Sequence, residues 1–352
     1  MSTQDPTAGV PITVLPEYSL QHYRLLELPA DLLELLSTSD HPPILQLKSK
    51  ENSDGNAKDA NAVLCTPEKT YDIRQVSSSN SVYLTKPHEC ADEGGGVPRT
   101  GIETVAKCSS TIELLPTKKQ SAAPYIKAAL PTYVSTGKYS SQNSTSRAEL
   151  YSHIPLSQAE CELGWSELAC FESTSPQGCF VPSGQVKVQI WQAAITAATA
   201  EGTDLSSSFS KNDIPGYAVD LAEDWPTDLV AAVFAGVSQP IAETIVAVDK
   251  EKCIQFVGLS LLQARSEGRP TETAAFLKAW RDLMPESWRA SCQLPVLKGS
   301  YTVQPGGNSI THTASVVDAK GAIVSPNDEN ETKTTLGAKR KWHEKFRASK
   351  RG

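Results

Sequence analysis

The sequence lacks the short motifs that mark the common kinds of catalytic and metal site. None of its eight cysteines forms a C-x-x-C pair, and no two of its six histidines are spaced i, i+4, so the pattern predicts no zinc site. It contains no G-x-x-x-x-G-K-[ST] phosphate loop and no G-x-S-x-G nucleophile elbow. We therefore predict a protein that is not an enzyme and that needs neither a cofactor nor a metal.

Long apolar runs are also missing. No run approaches the roughly 18 residues that a membrane-spanning helix needs, and the first residues, MSTQDPTAGVP, lack the basic and apolar parts of a secretory leader. Neither membrane insertion nor secretion is therefore expected. Most cysteines lie in apolar runs without disulfide-like spacing, which indicates a reducing compartment.

Positive charge is scarce except at one end of the chain. The formal net charge of the 352 residues is −7, but residues 333–352 hold eight Lys or Arg and only one Glu. This segment, the basic tail, has a net charge of +7, so residues 1–332 carry −14. The acidic body argues against a general nucleic-acid binder, and any affinity for DNA is expected to come from a local basic surface.

The basic tail interleaves its cations with two aromatic residues. Trp342 and Phe346 are spaced i, i+4, so a helix would place both rings on one side for stacking while the cations neutralise phosphates. Three roles stay open for this segment: a nuclear-import signal, a nucleic-acid contact, or docking on the last folded module. The candidate nucleic-acid-binding residues are Lys339, Arg340, Lys341, Trp342, Lys345, Phe346, Arg347, Lys350 and Arg351.

The most informative pattern in the chain lies at residues 62–84. A short apolar run around Leu64 is followed by a Thr-Pro-Glu-Lys turn, and residues 70–76 then alternate between two faces. We interpret residues 77–81 as a second polar connection and residue 82 as the start of a third strand. The pattern predicts a three-stranded meander with apolar residues on both faces, which a small domain cannot bury alone.

This strand block resembles that of the Dcc-type sister chromatid cohesion subunit of the alternative, cohesion-type replication factor C clamp loader. Two further segments resemble the same family: HYRLLELPADLLELL at 22–36, and FLKAWRDLMPESWRASCQLPVLKGSYTV at 276–303. The resemblance covers about residues 22–132 well and about 155–303 more loosely.

The resemblance implies a non-catalytic nuclear subunit that acts in DNA replication and sister chromatid cohesion. It implies that the N-terminal β region assembles with a small partner subunit and with the large loader subunit. It also implies tandem winged-helix domains that tether the loader to DNA polymerase epsilon and contact DNA. The alternative is a winged-helix nucleic-acid-binding regulator unrelated to clamp loading.

Two sets of residues are candidates for these protein contacts. The strand block supplies the candidate partner-binding residues Leu64, Tyr71, Ile73, Arg74, Val76, Val82 and Leu84. The acidic first helix of the following module supplies the candidate polymerase-docking residues Glu160, Glu162 and Glu167.

The helical part of the chain shows clear local signals. Ser157 and Glu160 form a capping box, Ser183 and Asp249 are predicted N-caps, and residues 169–181 predict a short hairpin. Tryptophan buries a large area, so we predict core positions for Trp165, Trp191, Trp225, Trp280 and Trp288.

The predicted fold class is α+β, with an N-terminal β-rich, partly open barrel domain followed by tandem winged-helix-like domains. Residues 1–11 are expected to be disordered, and 12–135 to form the partner-assembly domain. The remaining predicted segments are polar insertions at 49–61 and 86–104, a linker at 136–150, a first winged-helix-like domain at 151–203, further such domains at 204–304, and a linker with the basic tail at 305–352.

Overall fold

The structure is a computed structural model with mixed helices and strands. It describes residues 10, 12–16, 19–38, 41–50, 62–90, 99–117, 120–134, 145–174, 177–202, 204, 207–217, 225–266, 269–313, 316–317 and 323–324. Within these residues no sheet closes into a barrel. The predictions for residues 1–9, 51–61, 135–144 and the basic tail lie outside the described residues. The chain divides into an N-terminal unit, Met1–Lys50 with Ala60–Lys118, and a C-terminal unit, Lys119–Gly352 with Glu51–Asp59.

The described residues of the N-terminal unit form one sheet and one helix. Its elements are β1 (Ile12–Thr13), β2 (Leu25–Glu27), α1 (Ala30–Thr38), β3 (Gln46–Ser49), β4 (Ala62–Cys65), β5 (Thr70–Cys90) and β6 (Arg99–Pro116). The strand order is β1-β6-β5-β4-β3, and β2 also pairs with β6. Strands β3 to β6 form an antiparallel meander, whereas β1 and β2 lie parallel to β6.

Strand β5 shows that two sequence predictions were wrong. Residues 77–81 are not a connection, because β5 continues through them, and the pairing with β6 shifts register between Ser77 and Val82. Residues 86–90 and 99–104 are not loop, because they pair with each other at the far end of the same hairpin. A bulge can place extra polar residues inside a strand, and that is how the Ser-rich run is accommodated.

The apolar core of the N-terminal unit is small. Among the described residues, its cluster of packed side chains contains four buried ones from α1, β4, β5 and β6, with four partly buried neighbours. The buried residues are Leu32, Leu64, Tyr71 and Leu114, and the neighbours are Leu28, Leu36, Leu45 and Ile73.

The C-terminal unit repeats one order of elements three times. The first repeat contains α2 (Ala123–Ala129), β7 (Thr132–Tyr133), α3 (Arg147–His153), α4 (Gln158–Leu168), β8 (Phe171–Thr174) and β9 (Gln177–Pro182). The second contains α5 (Gly184–Glu201), β10 (Ser208–Ser210), a 3₁₀ turn (Lys211–Asp213), α6 (Ile214–Tyr217), α7 (Thr227–Val237), β11 (Ser238–Pro240) and β12 (Ile245–Val248). The third contains α8 (Lys250–Arg265), β13 (Thr271–Glu272), α9 (Thr273–Asp282), 3₁₀ helices at Glu286–Ser291 and Leu294–Leu297, β14 (Tyr301–Val303) and β15 (Ser309–His312).

Each repeat therefore runs helix, strand, helical segments, hairpin. The three sheets have the orders β7-β9-β8, β10-β12-β11 and β13-β15-β14, so the first strand always pairs with the last. A further short pair, β16 (Val316–Val317) with β17 (Ile323–Val324), follows the third repeat.

The three repeats share their cores. Ile190 of α5 packs in the cluster of the second repeat, whereas Trp191 beside it packs in the cluster of the third. The Trp191 indole N–H also donates a hydrogen bond of 2.9 Å to the carbonyl of Leu283. Because one helix supplies two cores, no repeat can be removed without exposing the apolar residues of the next.

The local predictions for this unit are confirmed. Ser157 and Glu160 form a complete capping box on α4, and the side chains of Ser183 and Asp249 cap α5 and α8. The five predicted core tryptophans are buried, as are all the cysteines whose side chains are described.

Candidate assembly surface

The hairpin of β5 and β6 has one long edge beside which no other described strand lies. Strand β4 pairs with β5 only as far as Asp72, so among the described strands β5 is paired from Ile73 to Cys90 with β6 alone. On the other side, β6 is paired with β1 at Ile102 and with β2 around Ile112. An edge of this length presents backbone donors and acceptors that a strand of another chain can pair with.

Exposed apolar side chains accompany this edge. Val82 and Tyr83 are 48% and 47% exposed, and because they are consecutive in a strand they lie on opposite faces. Their cross-strand neighbours are Cys108 and Lys107. The edge therefore has apolar contact groups both above and below it.

Exposed apolar side chains are frequent over the whole N-terminal unit, whereas its buried core is small. Of the eighteen exposed large apolar side chains among the described residues, twelve belong to this unit, although its core is the smallest of the four clusters. Leu47 and Ile44, for example, are 72% and 82% exposed. Apolar surface of this extent is typical of a protein-binding region.

The predicted partner-binding residues fall into two groups. Leu64 and Tyr71 are buried in the unit's own core, so they stabilise the sheet rather than offer a surface. The other five lie along β5, from the core outward, and are Ile73, Arg74, Val76, Val82 and Leu84. Arg74 lies opposite Glu113.

A small polar network holds the base of β5 against α1. The Tyr71 hydroxyl and the Lys69 ammonium both donate to Oδ2 of Asp31, over 2.9 and 2.8 Å, while Oδ1 accepts from the backbone N–H of Leu32. Burial and the neighbouring Asp31 carboxylate raise the pKa of Tyr71 to about 12. The hydrogen bonds to Lys69 and Tyr71 lower the pKa of Asp31, so this carboxyl is charged at neutral pH.

The predicted polymerase-docking residues all make contacts within the C-terminal unit. Glu160 accepts hydrogen bonds in the capping box, and the Glu167 carboxylate accepts one of 2.8 Å from the Ser121 hydroxyl. Glu162 pairs with Arg147, whose guanidinium lies 4.8 Å from the ring centre of Trp165.

Sequence reasoning missed one residue on the same helix. Leu163 is 71% exposed on α4, beside Glu162 and away from the buried Cys161 and Trp165. The sequence gives one sign of this exposure: Leu163 does not share the helical spacing of the residues on the buried face of α4. A groove of about 600 Å³, lined by Arg147 among others, lies in the same unit.

No group of three or more His, Cys, Asp or Glu side chains among the described residues is placed to hold a metal ion. None of the described helices is both long and apolar enough to cross a bilayer.

An open sheet edge, excess apolar surface and an array of helical repeats are typical of a subunit that assembles with other chains. The sequence profile of one family, described as Sister chromatid cohesion protein Dcc1, matches residues 23–318. The chain therefore belongs to this family and has a role in sister chromatid cohesion, which confirms the resemblance. A search of curated proteins finds no match.

Proposed function

We propose that this chain is a non-catalytic subunit of the alternative, cohesion-type clamp loader and that it works in the nucleus during DNA replication. Family membership supports the role in cohesion. The observation that carries the proposal further is the edge of β5 between Ile73 and Cys90, along which the described strands place no second neighbour beside β6 and which is flanked by exposed apolar side chains.

The edge suits strand addition by a partner. Main-chain hydrogen bonds along β5 would supply affinity, and the side chains of Val82 and Tyr83 would supply specificity on the two faces. The partners expected from the family resemblance are the small subunit and the large subunit of the loader. Their strands would cover the apolar surface that the N-terminal unit leaves exposed.

The C-terminal unit would carry the second set of contacts. Its repeated order of helix, strand, helical segments and hairpin supports the proposal that it would form three tandem winged-helix-like domains. The exposed face of α4, around Leu163, would dock DNA polymerase epsilon. The basic tail would contribute a weak contact with DNA.

The repeated modules also favour a second candidate, a winged-helix nucleic-acid-binding regulator outside the clamp loader. Affinity purification of the full chain from nuclear extract, followed by mass spectrometry, separates the two. A loader subunit should co-purify with AAA+ subunits in stoichiometric amounts, whereas a regulator should bring chromatin or transcription factors. ATPase activity intrinsic to the purified chain would contradict a non-catalytic role.

A further inference from the structure

A cavity in the C-terminal unit is lined by basic groups from different helices. Its volume is about 170 Å³, room for roughly five water molecules at about 30 Å³ each. Lys127 comes from α2, Lys187 from α5, Gln263 from α8 and His312 from β15. The site exists only where the first, second and third repeats pack together.

Lys187 is the unusual member of this set. Its side chain is buried, with the residue only 4% exposed, and it makes no hydrogen bond or ion pair with the residues that the structure describes. Its ammonium lies 5.6 Å from the ring centre of Phe256, which also lines the cavity. Burying an amine without a paired anion is costly, so the position needs a compensating partner.

The charges around the cavity are unbalanced. Burial lowers the pKa of Lys187 to about 8, so the amine is still largely protonated at neutral pH. Lys127 and Lys187 are close enough to His312 that, together with burial, their charges lower its pKa to about 4. Among the described residues of the lining, Glu167 is the one carboxylate, and it already accepts a hydrogen bond from Ser121.

We propose that this cavity binds a phosphate group, held by the ammonium groups of Lys127 and Lys187. Donors remain for its other oxygens, because the Ser300 hydroxyl and the Gln263 amide also line the cavity. The neutral imidazole of His312, 3.4 Å from the Gln263 amide nitrogen, holds that amide in place. Two ammonium groups match the double negative charge that a phosphate group can carry, and the two neutral donors can bond its remaining oxygens.

The test is thermal unfolding of the full chain in increasing inorganic phosphate at constant ionic strength. A bound anion stabilises only the folded state, so the melting temperature should rise saturably, by about 2 °C or more at saturation. The rise should be absent in Lys187→Met and at least halved in Lys127→Met. Lys278→Met removes an exposed lysine of α9 outside the cavity and should keep the full rise.

A second arm identifies the source of the phosphate group. A nucleoside 5′-monophosphate that stabilises at tenfold lower concentration than inorganic phosphate would indicate a nucleotide, and equal potency would indicate the free ion. Phosphorus-31 line broadening, lost in Lys127→Met, provides a readout that does not depend on the stability of the variants. A rise that is not saturable, or that persists in Lys187→Met and Lys127→Met alike, would overturn the proposal.

Discussion

A hydrogen bond between Tyr71 and Asp31 joins strand β5 to helix α1 in the N-terminal unit. The phenol is buried beneath the sheet, and its hydroxyl donates to the Asp31 carboxylate at the start of α1, 40 residues away in sequence. This contact positions β5 where it leaves the core and where, among the described strands, its pairing with β4 ends.

The first prediction concerns this hydrogen bond. Tyr71→Phe keeps the buried ring but removes the donor, and should lower the free energy of unfolding by about 1 kcal/mol, the net value of a typical hydrogen bond. Urea unfolding of the full chain measures it. Lys69→Met removes the exposed donor to the same oxygen and should change stability little. If both variants lose the same free energy of unfolding, the buried hydrogen bond of Tyr71 is not the stronger of the two contacts with Asp31.

The second prediction concerns acid sensitivity. The pKa of His312 is about 4 in the folded chain, against about 6.5 when unfolded. Below pH 6.5 the unfolded chain therefore binds a proton that the folded chain does not, and the stability contributed by neutral His312 is lost as the pH falls toward 4. His312→Gln should lose less stability than wild type between pH 7 and pH 5.

Urea unfolding at the two pH values gives this difference directly. His153→Gln, which changes an exposed histidine on α3, serves as the matched control and should follow wild type. If His312→Gln and His153→Gln lose stability equally, burial of His312 is not the source of the acid sensitivity.

The third prediction concerns the docking of DNA polymerase epsilon. Leu163→Asp adds a charge to the exposed face of α4 and should weaken binding of the polymerase by about tenfold, as for a central contact residue. Assembly with the loader subunits should not change. Val303→Asp, at another exposed apolar site in the same unit, is the control for added charge. Pull-down of purified polymerase by each variant decides between a docking face and a neutral surface.

The fourth prediction concerns the basic tail. Removing residues 333–352 takes away a net charge of +7 and should weaken DNA binding and flatten its salt dependence, by about 0.7–0.9 in the log–log slope for each lost phosphate contact. Replacing Trp342 and Phe346 with Ala should affect single-stranded DNA more than duplex, because only unstacked bases can lie on the rings. Unchanged affinity would leave a nuclear-import role, which imaging of the same truncation would test.

Features that depend on residues close together in the chain, such as helix caps, could be predicted from the sequence. Ser157, Ser183 and Asp249 cap helices where expected, because a side-chain oxygen needs only the next turn of backbone. The continuity of β5 was missed, because the polar run is held in the strand at its two ends, where Ser77 and Val82 pair with Ser110 and Cys108, some thirty positions away. The burial of Lys187 was also beyond prediction, since helices from three repeats are needed to enclose it.

We propose that a strand of a loader subunit pairs with the edge of β5. The direct measurement is the amount of the small loader subunit that co-purifies with the double variant Val82→Glu, Tyr83→Glu, relative to wild type. The control is Ile241→Glu, Val303→Glu, which adds the same charges at exposed apolar sites of the C-terminal unit. We expect a loss of about tenfold or more in the first variant, as for central interface residues, and none in the control. Wild-type recovery of the small subunit with the β5 variant would contradict it.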